Sequence, residues 1–533
     1  MTAASPRPPR KRRGILPTSR EAIAACASGA LFAFAFPPFN FVLPALFCLV
    51  PLTMTIAWYA DREGHAWNAA RAGFWFGVVG YGANLYWIAV ALLLYTKMAL
   101  LGYLGTLVWL GPMVAAAAAA LFVARRFTGW PFAILLPIVW TASELSLNYL
   151  SDLSFPWLPL GLSVAHIPVL AQVADLSGVR GVSFWIAAVN GLIVDAWLWR
   201  HNRTAVVKRI VAAVAVVLIV AGYGIWRMTS ITLTPLATVG IVQPNIPEEA
   251  KLTVVDPTVH VAVLARLTRE ELSHTNPQLV LWPEAALDQF LWRYPNWRDS
   301  LQAIVRGHPT PILTGIMDSD NPMIQPFRYY NAAILTTPDG FVIRNSVYHK
   351  QFLVPIVERV PFLNPAWFHG MDYFGGFSRG QDAAPFPVSF GKVGVMICYE
   401  SIFPQLTRSY AKQGATVLVN ITNDAWFQHS LAPYQHFAHL SLRAIETRLP
   451  VVRAANTGIS GYIDPLGRVR AETPIFVPRA ETYRIEAAHV TTLYTRVGDW
   501  VGGLCLTATL AILLAAWWRQ GKVRLAQGPN ESS

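Results

Sequence analysis

Long apolar segments alternate with short polar ones in the first part of the chain, and one more apolar segment lies near its end. A membrane-crossing helix needs about 20 apolar residues to span roughly 30 Å of hydrocarbon. The segments that approach or reach this length cover residues 22–36, 41–60, 72–94, 99–124, 131–147, 181–199, 210–226 and 499–518. The pattern therefore predicts a polytopic α-helical membrane domain of about eight spans.

The first apolar segment also has features of a cleavable signal peptide. It is short, the basic residues 10–13 precede it, and Ala33-Phe34-Ala35 lies near its end. Removal of this segment would leave the orientation of the other spans unchanged. Both interpretations remain open from the sequence.

Lysine and arginine residues are distributed unevenly between the two ends of these segments. Most lie at one end, whereas the short loops of the other end carry only Lys97 and Arg180. Because Lys- and Arg-rich loops stay in the cytoplasm, both termini are predicted to be cytoplasmic. The predicted regions are a basic N-terminus (1–20), a seven-span domain (21–228), a domain on the outer face (229–495), an eighth span (496–519) and a cytoplasmic tail (520–533).

The hydrophobic pattern changes between the seventh and eighth apolar segments. Short apolar runs predict strands, several of them buried on both faces, and stretches with helical spacing lie between these runs. The predicted strands are 237–242, 279–282, 312–314, 332–336, 392–398 and 416–421, and the predicted helices are 258–273, 296–306, 402–413 and 434–448. This alternation indicates a layered α/β domain, and about 260 residues suffice to bury a core.

The composition agrees with a membrane location and narrows the possible functions. Hydrophobic residues make up 54% of the chain and charged residues 14%, compared with about 25% charged residues in soluble proteins. The net charge of +12 lies beside the predicted spans, which argues against a nucleic-acid partner. The sequence has no G-x-G-x-x-G or Walker motif, so we expect no nucleotide cofactor.

The four cysteines are too scattered for a disulfide framework or a zinc cluster, and no two form a C-x-x-C pair. His436 belongs to no metal-binding motif, so we expect no metal ion. Cys26, Cys48 and Cys505 lie in apolar segments. Cys398 is therefore the one cysteine of the outer domain, and it is either an inert core residue or a nucleophile.

Three polar side chains of the outer domain are candidates for catalysis. Cys398 follows the apolar run 393–397, and the end of a buried strand is a position that exposes a nucleophile. Glu284 follows 279–283, where partial desolvation suits a carboxylate to accept a thiol proton, although a solvated strand-end residue is the alternative. Lys350 is either a surface charge or a fixed cation that stabilises an oxyanion.

Further motifs accompany these residues. They are Phe155-Pro156-Trp157-Leu158, Gln243-Pro244-Asn245-Ile246-Pro247, Trp282-Pro283-Glu284, Leu353-Val354-Pro355 with Glu358, Cys398-Tyr399-Glu400, Asn423-Asp424-Ala425-Trp426-Phe427, Gln435-His436-Phe437, Arg443, Glu446, and Arg453 with Asn456-Thr457-Gly458. Together, their order and spacing resemble the carbon-nitrogen hydrolase (nitrilase) superfamily. Nearly the whole chain resembles its membrane-embedded branch, the apolipoprotein N-acyltransferase family.

This resemblance implies a fold, an activity and partners. The fold is a nitrilase-like α-β-β-α sandwich on the periplasmic side of a bacterial inner membrane. The activity is transfer of a fatty acyl group from a phospholipid, through a cysteine thioester, to the α-amino group of a diacylated apolipoprotein. The donor would be of the phosphatidylethanolamine type, and the enzyme would be a monomer without a cofactor.

The resemblance also implies roles for individual residues. Cys398 would be the nucleophile, Glu284 the general base and Lys350 the oxyanion-stabilising cation. The residues that would orient Lys350 and the substrate amine are Glu358, Tyr399 and Glu400. The sequence departs from expectation at His349, and in the lid after Pro247, which lacks an aromatic residue.

Two other functions remain compatible with the sequence. A membrane-tethered amidase would use the same residues but resolve the thioester with water, although eight spans exceed what an anchor requires. A transporter with an accessory outer domain would need ionisable residues within its spans, and Glu144 is the main candidate. The aromatic segment 361–377, broken by glycines and prolines, is predicted to be a loop that contacts lipid or admits the acyl chain, with packing in the domain core as the alternative.

Overall fold

A helical bundle, a two-sheet α/β domain and a final helix that returns to the bundle follow one another along the chain. The computed structural model describes residues 14–62, 64–93, 99–248, 258–272, 274–290, 299, 301–303, 310–320, 328–337, 342–364, 367 and 375–526. Most of the predicted helix 296–306 and most of the aromatic segment 361–377 lie outside these residues, as does Lys97.

Every apolar segment predicted as a span forms helix. The bundle helices are α1 (Ser19–Ala35), α2 (Val42–Phe47), α3 (Val50–Ala60), α4 (Ala66–Leu85), α5 (Trp87–Leu93), α6 (Ala99–Thr128), α7 (Phe132–Ser146), α8 (Pro168–Ala171), α9 (Ala174–Leu198) and α10 (Arg203–Ser230). Within the described residues, five helical segments are long and apolar enough to cross a membrane, or six if α4 and α5, which meet at 53°, form one broken span. α1 and α7 are shorter, with 17 and 15 residues.

Small residues bring α4 and α6 into close contact. A Cβ atom on Gly73 would lie 2.6 Å from the Cβ of Ala118, and one on Gly77 would lie 3.1 Å from the Cα of Gly111. Close approach through small residues is a common way for helices to associate in membranes, where no hydrophobic effect drives association. Ala118 belongs to the alanine-rich stretch of α6, which therefore lies at this contact.

α1 is an integral part of the bundle. The Phe32 ring lies 5.7 Å from the Phe76 ring, and both side chains are fully buried. At the other end of α1, the buried carboxylate of Glu21 accepts hydrogen bonds from Arg71 at 2.8 Å and from the Tyr59 hydroxyl at 2.6 Å. These contacts pack α1 against α3, which bears Tyr59, and α4, which bears Arg71 and Phe76.

The outer domain contains two sheets. Its strands are β1 (Leu233–Gln243), β2 (Leu279–Leu281), β3 (Leu287–Phe290), β4 (Ile312–Ser319), β5 (Tyr329–Thr336), β6 (Val342–His349), β7 (Phe386–Val388), β8 (Gly391–Ile397), β9 (Val417–Thr422), β10 (Val451–Ala455), β11 (Gly461–Ile463), β12 (Val469–Glu472) and β13 (Arg479–Ala488). The first sheet has the order β13-β1-β2-β4-β5-β6, with β3 beside β4, and the second has the order β12-β11-β10-β9-β8-β7.

The two sheets pack face to face with helices on their outer sides. These helices are α11 (Thr258–Leu272), α12 (Pro404–Lys412) and α13 (Ala432–Thr447). The short helix α14 (Leu493–Val497) follows the last strand, and α15 (Trp500–Ala526) returns to the bundle and packs on α6, α7 and α9. One apolar core joins β1, β2 and β4 of the first sheet to β8, β9 and β10 of the second, and another joins the first sheet to α11. The arrangement confirms the predicted α-β-β-α sandwich. It also confirms the predicted strands, which observed strands overlap.

The sandwich and the bundle share one apolar core. Tyr399, Phe403 and Leu442 of the sandwich belong to the same cluster of buried residues as the bundle helices. α9 contributes directly to this junction. Its backbone is not helical at Gly178 (φ 67°), so the next N–H group is free of the helix. The backbone N–H of the next residue, Val179, donates to Glu446 of α13 at 2.8 Å.

A buried ion pair reinforces the same junction. Arg448, which ends α13 in a left-handed conformation (φ 57°), donates to Asp175 of α9 at 2.7 Å. Arg227 of α10 donates to the same carboxylate at 2.7 Å. The sandwich is therefore packed and ion-paired onto the helices of the bundle.

Candidate active site

Three strand ends bring the predicted catalytic residues together. Glu284 lies three residues beyond β2, Lys350 directly follows β6, and Cys398 directly follows β8. β2 and β6 belong to the first sheet and β8 to the second, so the residues meet where the two sheets face each other. All three side chains line the same cavity.

Cys398 occupies a sharp turn between β8 and a short 3-10 helix, Cys398–Ile402. Its φ of 50° is in the left-handed region, which is unfavourable for a residue with a side chain. The carbonyl oxygen of Cys398 accepts hydrogen bonds from His436 Nε2 at 2.9 Å and from Asn420 Nδ2 at 3.4 Å. These contacts hold the strained turn, which keeps the thiol facing the cavity.

Lys350 is buried between two carboxylates. Its Nζ donates to Glu284 Oε1 at 3.2 Å and to Glu358 Oε1 at 2.8 Å. Asn331 Nδ2 donates to the same two oxygens at 2.7 Å and 3.0 Å. The second oxygen of Glu284 accepts from the backbone N–H of Asn423 at 2.8 Å. This network fixes the position of both the carboxylate and the ammonium group.

The charges around the cavity set the protonation states of Lys350 and Cys398. Burial opposes the charge of Lys350, but Glu284 and Glu358 outweigh it and raise the pKa of the ammonium group. Burial raises the pKa of the Cys398 thiol, and the negative charge of Glu284 raises it further, against the opposing effect of Lys350. The resting site therefore contains an ammonium ion and a protonated thiol.

The supporting residues suggested by the sequence have different surroundings. Glu358 contacts Lys350 directly, and its second oxygen accepts from the backbone N–H of Val354 at 2.8 Å. The Tyr399 hydroxyl instead donates to the carbonyl oxygen of Ser154, in the loop after α7, at 2.8 Å. Tyr399 therefore connects the turn at Cys398 to the loop that follows α7.

Glu400 contacts the backbone on both sides of the site. Its Oε1 accepts from the backbone N–H of Gln351 at 2.6 Å and from the Tyr348 hydroxyl at 2.7 Å, and its Oε2 accepts from the N–H of Ile397 at 2.7 Å. Burial raises the pKa of Glu400 to about 7. Gln351 follows Lys350, and Ile397 precedes Cys398. Glu400 therefore connects the segment that bears Lys350 to the segment that bears Cys398.

Cys398, Asp424 and His436 present potential ligand atoms within 4.8 Å of one another. Arg453, however, donates a short hydrogen bond to Asp424, and His436 Nδ1 lies 3.1 Å from the same guanidinium. Burial opposes the charge of Asp424, but Arg453 outweighs it and holds the pKa of the carboxyl at about 2. A guanidinium at this carboxylate competes with any metal cation. The arrangement fits a hydrogen-bond network that supports the Cys398 turn.

The cavity extends from the catalytic residues into the membrane bundle. Its volume is about 540 Å³. Trp87 and Leu92 of α5 and Gly105 and Trp109 of α6 line the end that lies in the bundle. The Gly105 Cα faces open space, since a Cβ atom there would meet nothing within 4 Å. The site is thus continuous with an apolar region between two membrane helices.

The motif Phe155-Pro156-Trp157-Leu158 forms part of the cavity wall. The Trp157 indole lies 4.7 Å from that of Trp87 and donates to Gln435 of α13 at 2.8 Å. Phe155 and Trp157 also stack near Tyr399, each at 6.2 Å. Aromatic side chains from the bundle and the sandwich therefore meet beside Cys398.

Glu144, the residue that suggested a transporter, anchors this loop. Its Oε1 accepts from the backbone N–H of Leu160 at 2.7 Å and from the Trp140 indole at 2.8 Å. Arg180 of α9 donates to the backbone carbonyl of Glu144 at 3.4 Å. These contacts give Glu144 a structural position beside the active-site loop, where it does not line the catalytic cavity.

Asn331 was not identified from the sequence as a site residue. It lies in β5, whose other residues are mostly apolar, and it contacts both carboxylates of the site. In the sequence, the one indication of this role was a single asparagine within a run of mostly apolar residues. Glu248, in the predicted lid after Pro247, was also not predicted to be a site residue. It lines the cavity and accepts a hydrogen bond from Asn423 Nδ2 at 2.8 Å.

Residues 238–478 match the carbon-nitrogen hydrolase family, and residues 28–192 match the apolipoprotein N-acyltransferase N-terminal domain. The apolipoprotein N-acyltransferase of Geobacter metallireducens is 32% identical over 94% of this chain and 96% of that protein. The apolipoprotein N-acyltransferase of Bradyrhizobium diazoefficiens is 31% identical over 94% of this chain and 96% of that protein. The solved structure of Saccharomyces cerevisiae Nit3, of the nitrilase superfamily, is 19% identical, covers 48% of this chain and 92% of that chain, and has a TM-score of 0.38. On the identity and coverage of these curated relatives, the chain belongs to the apolipoprotein N-acyltransferase family.

Proposed function

We propose that the protein transfers a fatty acyl group from a membrane phospholipid to the α-amino group of a diacylated apolipoprotein. The observation that carries the proposal is one cavity with Glu284, Lys350 and Cys398 at one end and side chains of two membrane helices at the other. An acyl chain attached to Cys398 can remain in apolar surroundings there, where each buried methylene contributes about 0.8 kcal/mol. The name shared by the relatives supports the apolipoprotein acceptor.

In the first step, Glu284 takes the proton of the Cys398 thiol while the sulfur attacks the ester carbonyl carbon of the phospholipid. A base is needed because burial and Glu284 raise the pKa of the thiol. The Lys350 ammonium group stabilises the oxyanion of the tetrahedral intermediate. The ester C–O bond then breaks, the proton passes from Glu284 to the leaving alkoxide, and a lysophospholipid departs. Cys398 is left as an acyl thioester.

In the second step, a neutral α-amine attacks the thioester carbonyl, and Lys350 again stabilises the oxyanion. The amine gives up a proton through Glu284 as the new C–N bond forms. The C–S bond breaks, and the thiolate of Cys398 regains the proton. The enzyme returns to its resting state and the acceptor carries an amide.

A membrane-tethered hydrolase would share the first step but use water in the second. The extension of the cavity between α5 and α6 favours the transferase. A small amide substrate would not need an apolar region lined by Trp87, Leu92 and Trp109. Such a region also keeps water from the thioester, which slows hydrolysis.

The intact mass of the enzyme after exposure to phospholipid alone tests this proposal. We expect one added fatty-acyl mass on the peptide that bears Cys398, removed by hydroxylamine and discharged by a diacylated lipopeptide with a free α-amine. An N-blocked lipopeptide should leave the adduct in place. Rapid release of free fatty acid without an amine would instead support the hydrolase.

We further propose that the sandwich lies on the periplasmic side of the bacterial inner membrane, that both termini are cytoplasmic, and that the protein acts as a monomer. Arg126 at the end of α6 donates to the carbonyl of Arg62 at 2.7 Å, so two basic loops meet at one end of the bundle. α7 starts beside these loops and ends beside the loop bearing Ser154, which contacts the sandwich. The basic end is thus opposite the catalytic domain. A complete set of reactive residues from one chain supports a monomer.

Fusions of reporter proteins test this orientation. A reporter inserted after Asp318 should be active only if it functions in the periplasm, and one joined after Ser533 only if it functions in the cytoplasm. The reason is the concentration of Lys and Arg at the end of the bundle away from the sandwich. Cytoplasmic activity of the Asp318 fusion would overturn the proposed placement.

A further inference from the structure

A fully buried threonine lies beside the nucleophile. Thr422 is the last residue of β9, which runs parallel to β8, and the two strands pair Ile421 with Ile397. The next residue along the chain is Thr422 after β9 residue Ile421 and Cys398 after β8 residue Ile397. The register of the two strands therefore brings the hydroxyl-bearing residue next to the thiol-bearing one.

The Thr422 hydroxyl binds a carboxylate that approaches the thiol. Its Oγ1 donates to Asp424 Oδ1 at 2.9 Å. An oxygen of Asp424 and the sulfur of Cys398 lie within 4.8 Å of each other. A hydroxyl hydrogen can rotate to suit its acceptor. That of Thr422 thus has two acceptors within reach in the course of the reaction, the Asp424 carboxylate and the thiolate of Cys398.

Asp424 remains an anion whichever acceptor the hydroxyl chooses. Burial opposes its charge, but Arg453 outweighs burial and holds the pKa of the carboxyl at about 2. Arg453 donates to Oδ2, whereas Thr422 donates to Oδ1. The carboxylate therefore keeps its cationic partner when the Thr422 hydroxyl turns away.

The thiolate of Cys398 needs a hydrogen-bond donor. Burial raises the pKa of the Cys398 thiol, and the charges of Glu284 and Asp424 raise it further. Lys350 and hydrogen bonding by Thr422 act in the opposite direction and lower the pKa. A thiolate formed at this position lies close to the Asp424 anion, so a donor between the two negative groups relieves their repulsion.

We propose that Thr422 stabilises the thiolate of Cys398 by turning its hydroxyl from Asp424 to the sulfur. The inference rests on the proposed function and adds a residue to it. When Glu284 takes the thiol proton, rotation about the Cβ–Oγ bond of Thr422 points its O–H at the sulfur. Formation of the C–S bond removes the charge, and the hydroxyl returns to Asp424. The same donation stabilises the thiolate that leaves in the second step. No covalent bond of Thr422 is made or broken.

Thr422→Val tests the inference, because valine removes the hydroxyl and nearly keeps the shape, whereas Thr422→Ser keeps the hydroxyl. The matched control is Thr407→Val, which removes a buried hydroxyl of α12 that donates to the carbonyl of Pro404 at 3.0 Å. The rate of alkylation by iodoacetamide at fixed pH, followed on the peptide that bears Cys398, measures thiolate formation in the folded enzyme without lipid. Rates of acyl-adduct formation and discharge are measured beside it.

Loss of a hydrogen bond to a charged sulfur corresponds to alkylation about tenfold slower in Thr422→Val. Adduct formation and discharge should slow in parallel, while Thr422→Ser and Thr407→Val stay close to the wild-type rates. Thr422→Ala carries the same expectation as Thr422→Val and places no methyl group against Asp424, so it serves if the valine variant does not fold.

Alkylation of the variants without a hydroxyl at the wild-type rate would overturn the inference. Equal losses in Thr422→Val and Thr407→Val would also overturn it, since they would reflect stability alone. The alkylation measurement does not depend on acyl transfer. A wild-type enzyme that forms no acyl adduct, together with slow alkylation of Thr422→Val, would overturn the proposed function and still support Thr422 as the donor to the thiolate.

Discussion

Cys398→Ala is expected to abolish acyl transfer, with a loss of about 10⁴-fold or more in turnover. The reason is that the proposed reaction passes through a covalent bond between the acyl group and this sulfur atom, which alanine lacks. The variant should fold, because the hydrogen bonds from His436 and Asn420 that hold the turn are made to the backbone carbonyl of residue 398, which the substitution keeps. Turnover is measured with fluorescent lipopeptide in detergent, and the mass of the variant after exposure to phospholipid should be unchanged.

The other cysteines provide the matched controls for this experiment. Cys26, Cys48 and Cys505 lie in α1, after α2 and in α15, away from the catalytic cavity. Cys26→Ala and Cys505→Ala should retain nearly full turnover, and Cys48→Ala should lose stability rather than chemistry because Cys48 is fully buried. Wild-type turnover by Cys398→Ala would remove the nucleophile assignment.

Lys350→Ala is expected to abolish turnover and also to lower stability. Lys350 is 1% exposed and holds Glu284 and Glu358 together, so its removal leaves two carboxylates buried without their cation. Breaking a buried ion pair in this way typically costs about 3–5 kcal/mol. Thermal unfolding of the purified variant, followed beside the turnover assay, should show both effects.

The double variant Lys350→Met with Glu358→Gln separates the two roles of Lys350. It removes one buried negative charge along with the cation, so thermal stability should recover in part. Turnover should remain absent, because an uncharged methionine side chain cannot stabilise the oxyanion. Recovery of turnover in the double variant would contradict the assignment of Lys350 as the oxyanion-stabilising cation.

The sequence predicted the elements that position the site because apolar runs mark both the spans and the strands. The strand ends before Glu284 and Cys398 are local features, since a buried apolar run stops where a polar residue begins. The strand before Lys350, β6, contains several polar residues and was not predicted. Hydropathy also located the helices of the bundle, of which five or six are long and apolar enough to cross a membrane within the described residues. It could not predict the 53° bend between α4 and α5 or the break at Gly178, because these depend on contacts with distant parts of the chain.

The contacts inside the site depend on which backbones the sheets bring together. Glu400 illustrates this point, since its carboxylate binds N–H groups 3 and 49 residues away along the chain. Asn331 is a similar case, because a lone asparagine in an apolar strand does not reveal which face it occupies. Family resemblance suggested that Glu400 matters, but its hydrogen-bond partners required a three-dimensional structure.

The shared core of the bundle and the sandwich has a consequence for assembly. The sandwich is translated after α10 and before α15, yet α13 buries its face against α9, and Arg180 of α9 pairs with Asp499, just before α15, at 3.6 Å. Neither half can therefore reach its final packing before the chain as far as Asp499 is in place. Apolar residues such as Phe403 and Leu442 would face water in an excised sandwich. We therefore expect the bundle and the sandwich to complete their folding together, and cleavage of the chain between the two parts to release an aggregation-prone fragment instead of a soluble enzyme.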